Sequence, residues 1–487
     1  SSEGGAVSTY ITIGDASVTL GDRASFTGNY ISAAGTGKGA GGAIAVRANA
    51  GPASLTVGAD ASFTGNYISA SSGDGGAIWM SSGGTCILGA NVSFIGNYIQ
   101  ASSGRGGAIY LGNQQLTIED GANFTDNYAP TAGGAILIKN TSNPTHQFLA
   151  QTHDVLFSGN MTRGTFMRSD NGTFTVDGGT ANAIHFETQG SLQLAAGEGR
   201  NIQFDDPITA GDYSIMLTVN RYTDDGGADQ DTSGTVVFSG TRYQGTDAHL
   251  VASRYNDFRG KTTVCGGTLE LRDGVIFGRT GSMTDMVTSF TLNTGATLRS
   301  KGAASEINAA SIVLNGTVDT GGTLVLNGNV TAADTTLKTG QGALDLRNTG
   351  TNLFTNGVAL NEGSILINGM EQIRTGSGAY ITGSGTLDIQ SAGVVALSDS
   401  LTGFAGTISL TDTRLRPDAT GQAVLGTATL RLGSGSELSV TENFSISKLH
   451  LAGGTLTVHV DGDASRLEHQ LSVSLTSRRH PRWPSPA

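Results

Sequence analysis

The chain has 487 residues, of which 73 are Gly and 8 Pro; 14 % are charged and the formal net charge is −12. An acidic chain with no basic cluster in its repeats disfavours nucleic acid and anionic membrane surfaces as partners, and no apolar run approaches the ~20 residues of a membrane helix. Glycine is about twice as frequent as average but has no G-X-Y period, which excludes collagen, while alternating Val, Ile and Leu persisting to Val460 argue against disorder.

From the first residues the chain repeats itself. A GGA turn recurs at Gly4-Gly5, Gly41-Gly42, Gly75-Gly76, Gly106-Gly107 and Gly133-Gly134, and an FxxN tetrapeptide at Phe26–Asn29, Phe63–Asn66, Phe94–Asn97, Phe124–Asn127 and Phe157–Asn160. Recurrence every 30 to 37 residues is the mark of a solenoid or an array. The segments between alternate polar and apolar, as in Ser54-Leu55-Thr56-Val57 and Gln115-Leu116-Thr117-Ile118, and period two means strands. Strands that carry one or two inward side chains close a core only by stacking. The expected fold is therefore all-β, a right-handed parallel β-helix (β-solenoid) of about twenty coils, forming a rod of roughly 90–100 Å.

In such a helix Phe26, Phe63, Phe94, Phe124 and Phe157 form an interior stack. Asn29, Asn66, Asn97, Asn127 and Asn160 form an amide ladder at a turn. The glycine pairs, among them Gly41, Gly42, Gly75, Gly76, Gly106, Gly107, Gly133 and Gly134, supply positive φ and close approach between coils. Tyr30, Tyr67, Tyr98 and Tyr128 follow four of the Asn residues and suggest a surface tyrosine column.

These motifs carry a resemblance. Repeated GGA[ILV] and FxxN resemble the polymorphic membrane proteins of chlamydiae and similar autotransporter passengers. Asn201–Ile208, ending in Asp206-Pro207-Ile208, and Val236–Gly240 followed by Gly266–Val275 are similar to further segments of that family, so the likeness spans somewhat more than half of the chain. It implies a passenger domain on the bacterial cell surface or outer membrane, or secreted, and a role for the two motifs in adhesion. The partner would be a host-cell surface protein or glycan, or a second copy, and a membrane would be reached only through a C-terminal barrel.

Residues 1–165 are read as the motif-rich part of the helix and 166–474 as its continuation, without a break between domains. The rhythm loosens from Lys139 to Gln151. Residues 221–234 form an acidic loop; Asp229-x-Asp231-x-Ser233-Gly234 resembles the start of a calcium loop, but its twelfth position is Gly240 and no helices flank it, so it is read as solvated. A G-T-L-x-[LIV] cadence follows at Gly266, Gly322, Gly385 and Gly454, and helix signals are absent throughout. Residues 475–487, with three of the eight prolines, are expected to be a disordered or artefactual tail. The chain opens within a repeat without Met and holds no barrel-like strands, so a fragment or processed product is expected. Cys86 and Cys265 should lie some seven coils, ~30 Å, apart and not bridge.

Parallel β-helices also host polysaccharide lyases and hydrolases, which makes a carbohydrate-active enzyme the alternative; a structural surface protein without a specific ligand is a third reading. The acidic pairs Glu119-Asp120, Asp205-Asp206 and Asp224-Asp225 are assigned to turns or loops rather than to acid–base chemistry. There is no GxSxG elbow, and His146 and His153 are given solvent or surface-strand roles. No catalytic residue, metal or cofactor is expected. For the motif residues two roles stay open, structure and binding: Phe is what the core needs and Asn and Gly what the turns need, and binding would fall to the faces they hold in register.

Overall fold

The computed structural model describes residues 2–33, 37–168, 174–278, 287–348, 350–440 and 446–458; the expected tail at 475–487 lies outside the described residues. Strands of two to seven residues stack, nearly all in parallel, on their counterparts one coil away. Two sheets of thirteen strands run from the first coil to Ile373–Thr375 and Ile381–Thr382, and a ten-stranded sheet continues from Tyr255–Asn256 to Lys448–Leu451. Together they make about sixteen coils, or roughly 75 Å of rod at ~4.8 Å per strand, for the described residues. That is shorter than the rod expected, because the early coils consume 30 to 47 residues each.

One hydrophobic core threads the rod from Ala16 to Leu438, so the repeat block and the later coils share a single interior. On one thirteen-stranded sheet the Phe of each tetrapeptide pairs in register with the next. Ring centroids from Phe26 to Phe157 are 4.6–5.0 Å apart and near-parallel. The stack continues through Phe204 and Phe238, two coils beyond the motifs, until Phe277 meets Phe238 edge-on. The opposite sheet supplies Leu55, Cys86, Leu116 and Leu192.

In the repeat block each coil also carries a small lobe. Its strands Tyr67–Ser69 and Tyr98–Gln100 turn Ile68 and Ile99 inward, against strands Lys38–Ala40, Ser72–Asp74 and Ser103–Arg105. Glycine stands at the centre of each: a Cβ on Gly39 or Gly73 would lie 2.4 or 2.7 Å from Ile68 Cγ2, and one on Gly104 2.6 Å from Ile99 Cγ2. Arg105 clasps this lobe to the main wall, bonding Asp74 and Glu187 with its guanidinium 5.1 Å from the Tyr110 ring. The lobe ends at Thr180–Ala181. Past residue 254 the coil has three strands, and its period falls to about 20 residues.

Four expectations need correction. Helices are present: Ala248–Ala252 lies within an insertion after Ser239, and Ala419–Leu425 is capped by Asp418, which accepts from Gly421 N–H. His146 is not at the surface; it faces the core opposite Leu192, because its Nδ1 accepts from Leu116 N–H and its Nε2 meets the Asn140 amide. The residues at 221–234 form an antiparallel hairpin, Arg221–Thr223 with Asp229–Asp231. Arg221 pairs with Asp229 and Asp231, and Asp224 binds the turn amides of Gly226 and Ala228. The cysteines are both buried and free, five coils apart along the sheet rather than seven.

Candidate binding cleft

The motif residues occupy the inside of the fold. Phe63, Phe94, Phe124 and Phe157 and Asn66, Asn97, Asn127 and Asn160 are fully buried; Phe26 and Asn29, in the first coil, are half-buried. Gly41, Gly42, Gly75, Gly76, Gly106, Gly107, Gly133 and Gly134 are buried as well. The first glycine of each pair has φ of +63 to +71°, and the second touches the next coil: a Cβ on Gly42, Gly76 or Gly107 would lie 2.0–2.1 Å from the carbonyl oxygen of Gly76, Gly107 or Gly134. Apart from Phe26 and Asn29, these residues are covered by the fold.

The asparagines form a continuous hydrogen-bonded line. Each Nδ2 donates to Oδ1 of the next asparagine, at 2.9, 3.0, 2.9 and 2.8 Å from Asn29 to Asn160. From Asn66 onward it also donates to the Phe carbonyl of the preceding coil. Asn160 passes the line to Asp206, whose Oδ2 accepts from its Nδ2 at 2.7 Å and its N–H at 2.8 Å. Asp206 Oδ1 accepts from Gly159 N–H at 3.0 Å and from the Tyr243 hydroxyl. Burial pushes the Asp206 carboxyl up to about 6, against the pull of the Tyr243 and Asn160 bonds. Sequence reasoning assigned Asp206 to a turn. The signal that could have found it is a sixth Phe, Phe204, followed at once by carboxylates.

The two residues between Phe and Asn face outward. Thr64-Gly65, Ile95-Gly96, Asp126 and Gly159 form the floor of a cleft of about 780 Å³. Gly65 and Gly96 keep the floor open, since a Cβ on either would meet nothing. One wall is the hairpin Thr165–Arg168 with Phe174–Asp177, continuing through Gly178 and Gly179; the other is the insertion, through Arg242, Tyr243, His249 and Leu250. Neither wall was legible in the sequence, where both segments interrupt the repeat.

Each wall is anchored to the repeats. Phe166 stacks on Tyr98 and Tyr128 at 5.2 and 4.9 Å, and the Arg168 guanidinium sits 4.8 Å from the Tyr67 ring. The tyrosine column is thus regular, with centroids 4.9–5.0 Å apart from Tyr30 to Tyr98, yet it is not a free surface: the hairpin covers Tyr98 and Tyr128. The insertion is held by Ser253 Oγ, which accepts from Ala181 N–H, and by Arg242, which donates to Asp126 and to Ser158 Oγ. Partial burial raises the Asp126 carboxyl, opposed by Arg242.

No three His, Cys, Asp or Glu side chains converge to hold a metal among the described residues. His153 pairs with Asp120 at 3.0 Å, away from the cleft. Chemically, the cleft offers a long floor of backbone and small side chains between two apolar and polar walls.

The chain is similar to chlamydial outer membrane proteins. It is 30 % identical over 191 residues, 38 % of this chain, to the probable outer membrane protein pmp2 of Chlamydia pneumoniae. The probable outer membrane protein pmp13 of the same organism is 30 % identical over 216 residues, 40 % of this chain. The chain spans about a fifth of the length of these relatives, and the matched share is smaller than the motifs suggested. No family model and no solved structure matches it.

Proposed function

We propose that this chain is part of a surface-exposed or secreted bacterial passenger that acts as an adhesin, a stiff β-helical rod displaying a binding cleft to a host-cell surface protein or glycan, or to a second copy. The observation that carries this reading is the cleft itself. It lies outside the Phe and Asn columns, which hold its floor in register over several coils while leaving the floor open to solvent. Similarity to proteins named as probable outer membrane proteins supports a place at the cell envelope. The test is adhesion of the purified chain to cultured epithelial cells, compared with an Ile95→Arg chain that fills the cleft floor. Adhesion by the parent and its loss in the variant support the reading; equal adhesion by both removes the cleft from it.

One observation favours a second reading. Two carboxylates, Asp126 and Asp177, line the same cleft, and paired acids in a cleft are the equipment of glycoside hydrolysis. Partial burial raises the Asp126 carboxyl, the direction a proton donor needs, but its Oδ1 is engaged by Arg242 at 3.3 Å rather than left for a substrate. We therefore read the chain as a binder rather than an enzyme. Release of reducing sugar from a polysaccharide panel, lost in both Asp126→Asn and Asp177→Asn, would reverse that choice.

A further inference from the structure

The hairpin wall of the cleft is a two-stranded sheet, Thr165–Arg168 paired antiparallel with Phe174–Asp177. Among the described residues no third strand lies on the free side of Phe174–Asp177. All six residues from Phe174 to Gly179 line the cleft. Side chains alternate between the faces of a strand, so a face presents every second residue, whereas an edge presents a consecutive run. The strand is therefore turned edge-on to the cleft. In an antiparallel ribbon every second residue points its N–H and C=O away from its partner strand, and here that direction is into the cleft.

The remaining lining fits the same occupant. Ile95, 38 % exposed, together with Val176, Met161 and Leu250, offers apolar contacts to one face of an added strand. The charges nearly balance, with Asp126 and Asp177 set against Arg242 and with Asp126 already paired to it. That balance suits a neutral backbone better than a strongly charged ligand. The edge has neither Pro nor Lys between Phe174 and Gly179, and its one charge, Asp177, stands at the end of the strand.

We propose that the cleft takes a short extended peptide segment of a partner protein, which adds as a third strand to the edge Phe174–Asp177 and seats its alternate apolar side chains on Ile95 and Leu250. This rests on the binding role proposed for the cleft and names the class of partner. Recognition by strand addition draws affinity from main-chain hydrogen bonds and selectivity from the pockets under alternate side chains.

The experiment measures binding of a fluorescent, lysine-flanked Thr-Val repeat octapeptide to the whole chain. A second probe has the same sequence with every amide N-methylated, which keeps the side chains but leaves no N–H to donate along either edge. The parent chain should bind the first probe and not the second. Ile95→Arg should weaken binding by about tenfold or more. Neighbouring residues send their N–H groups in opposite directions, so one of Thr175→Pro and Val176→Pro should abolish binding while the other disturbs the hairpin. Circular dichroism of each variant checks that the rod is intact. Equal binding of both probes, or no binding at concentrations up to about 1 mM, overturns strand addition. Self-association that Ile95→Arg abolishes assigns the cleft to a second copy and likewise overturns the proposal. If no probe binds but cell adhesion still depends on Ile95, strand addition fails and the adhesin reading stands; if adhesion is also absent, both fail.

Discussion

Asn160 and Asp206 stand 2.7 Å apart, Nδ2 to Oδ2, where the amide line that begins at Asn29 ends on a carboxylate. Every amide in the line points its donors the same way, so the last residue needs only acceptors. A carboxylate offers two acceptor oxygens, Oδ2 for Asn160 and Oδ1 for Gly159 N–H and the Tyr243 hydroxyl, where an asparagine has only Oδ1. Register along the repeat block is thus specified twice, by ring stacking in the core and by a directional chain of buried bonds.

Removing one amide from the middle of this line should cost more than removing the first. Asn97→Ala leaves Asn66 Nδ2 and N–H without their acceptor, takes a donor from Phe63 C=O, and leaves Asn127 Oδ1 with only the backbone N–H of residue 97, all buried. At about 1–3 kcal/mol for each uncompensated group, a loss of ~3–5 kcal/mol is expected after local relaxation. Asn29→Ala, at a half-buried position, should cost about 1 kcal/mol. Urea unfolding followed by tyrosine fluorescence reads both, and equal midpoints would contradict a ladder that bears stability.

Glycines of the two motifs should behave in opposite ways. Gly76→Ala would place a Cβ 2.0 Å from Gly107 O, a backbone contact with nothing to yield, and should prevent soluble expression of the folded rod. Gly65→Ala has φ +63° but open space around its Cβ, so only the left-handed backbone cost of about 1–2 kcal/mol applies. It should fold with a modestly lower melting temperature. Similar losses at the two sites would mean that coil-to-coil contact does not set the glycine pair.

The columns were legible because period two, Phe, Asn and paired Gly each have a single physical use in a stacked coil. Phe26 to Phe157 and Asn29 to Asn160 fall where their spacing puts them. The walls of the cleft were not, since Thr165–Asp177 and Thr241–Ser253 break the period, and pattern reading sees only that the pattern has stopped. His146 misled for a related reason: a titratable residue reads as exposed, yet a neutral imidazole whose two nitrogens meet Leu116 and Asn140 can stand among leucines. Gly39, Gly73 and Gly104 belong to no repeated word of the sequence, because the isoleucines they accommodate lie on another strand of the coil.

Both thiols should be silent in the folded protein. Burial pushes the Cys86 thiol up to about 12 and raises Cys265 as well, leaving little thiolate at neutral pH. Five coils, about 24 Å, separate them along the rod. A thiol-specific reagent such as DTNB should label neither at pH 8 and both in urea, and a non-reducing gel should show no cross-link within the chain. Rapid labelling of Cys86 without denaturant would contradict its place in the core.

Two buried groups should give opposing pH dependences. Burial depresses the His146 imidazole from 6.5 to about 3, so the unfolded chain takes up a proton that the folded one refuses. Its contribution to stability is present above pH 6.5 and is lost as pH falls toward 3. Asp206 is raised from 3.8 to about 6, by burial first and against its hydrogen bonds, so its contribution is present below pH 4 and is lost as pH rises through 6. Between pH 4 and 6 the two slopes, each about 1.4 kcal/mol per unit, nearly cancel in the parent. Replacing His146 by Gln keeps an acceptor for Leu116 N–H and removes one slope: relative to the parent, His146→Gln should gain about 2–3 kcal/mol as pH falls from 6.5 to 4.5. Asp206→Asn removes the other slope and should lose stability steadily over the same range. Urea midpoints of the three proteins at half-unit pH steps decide the matter. Profiles that run parallel would show that neither group titrates differently in the folded rod.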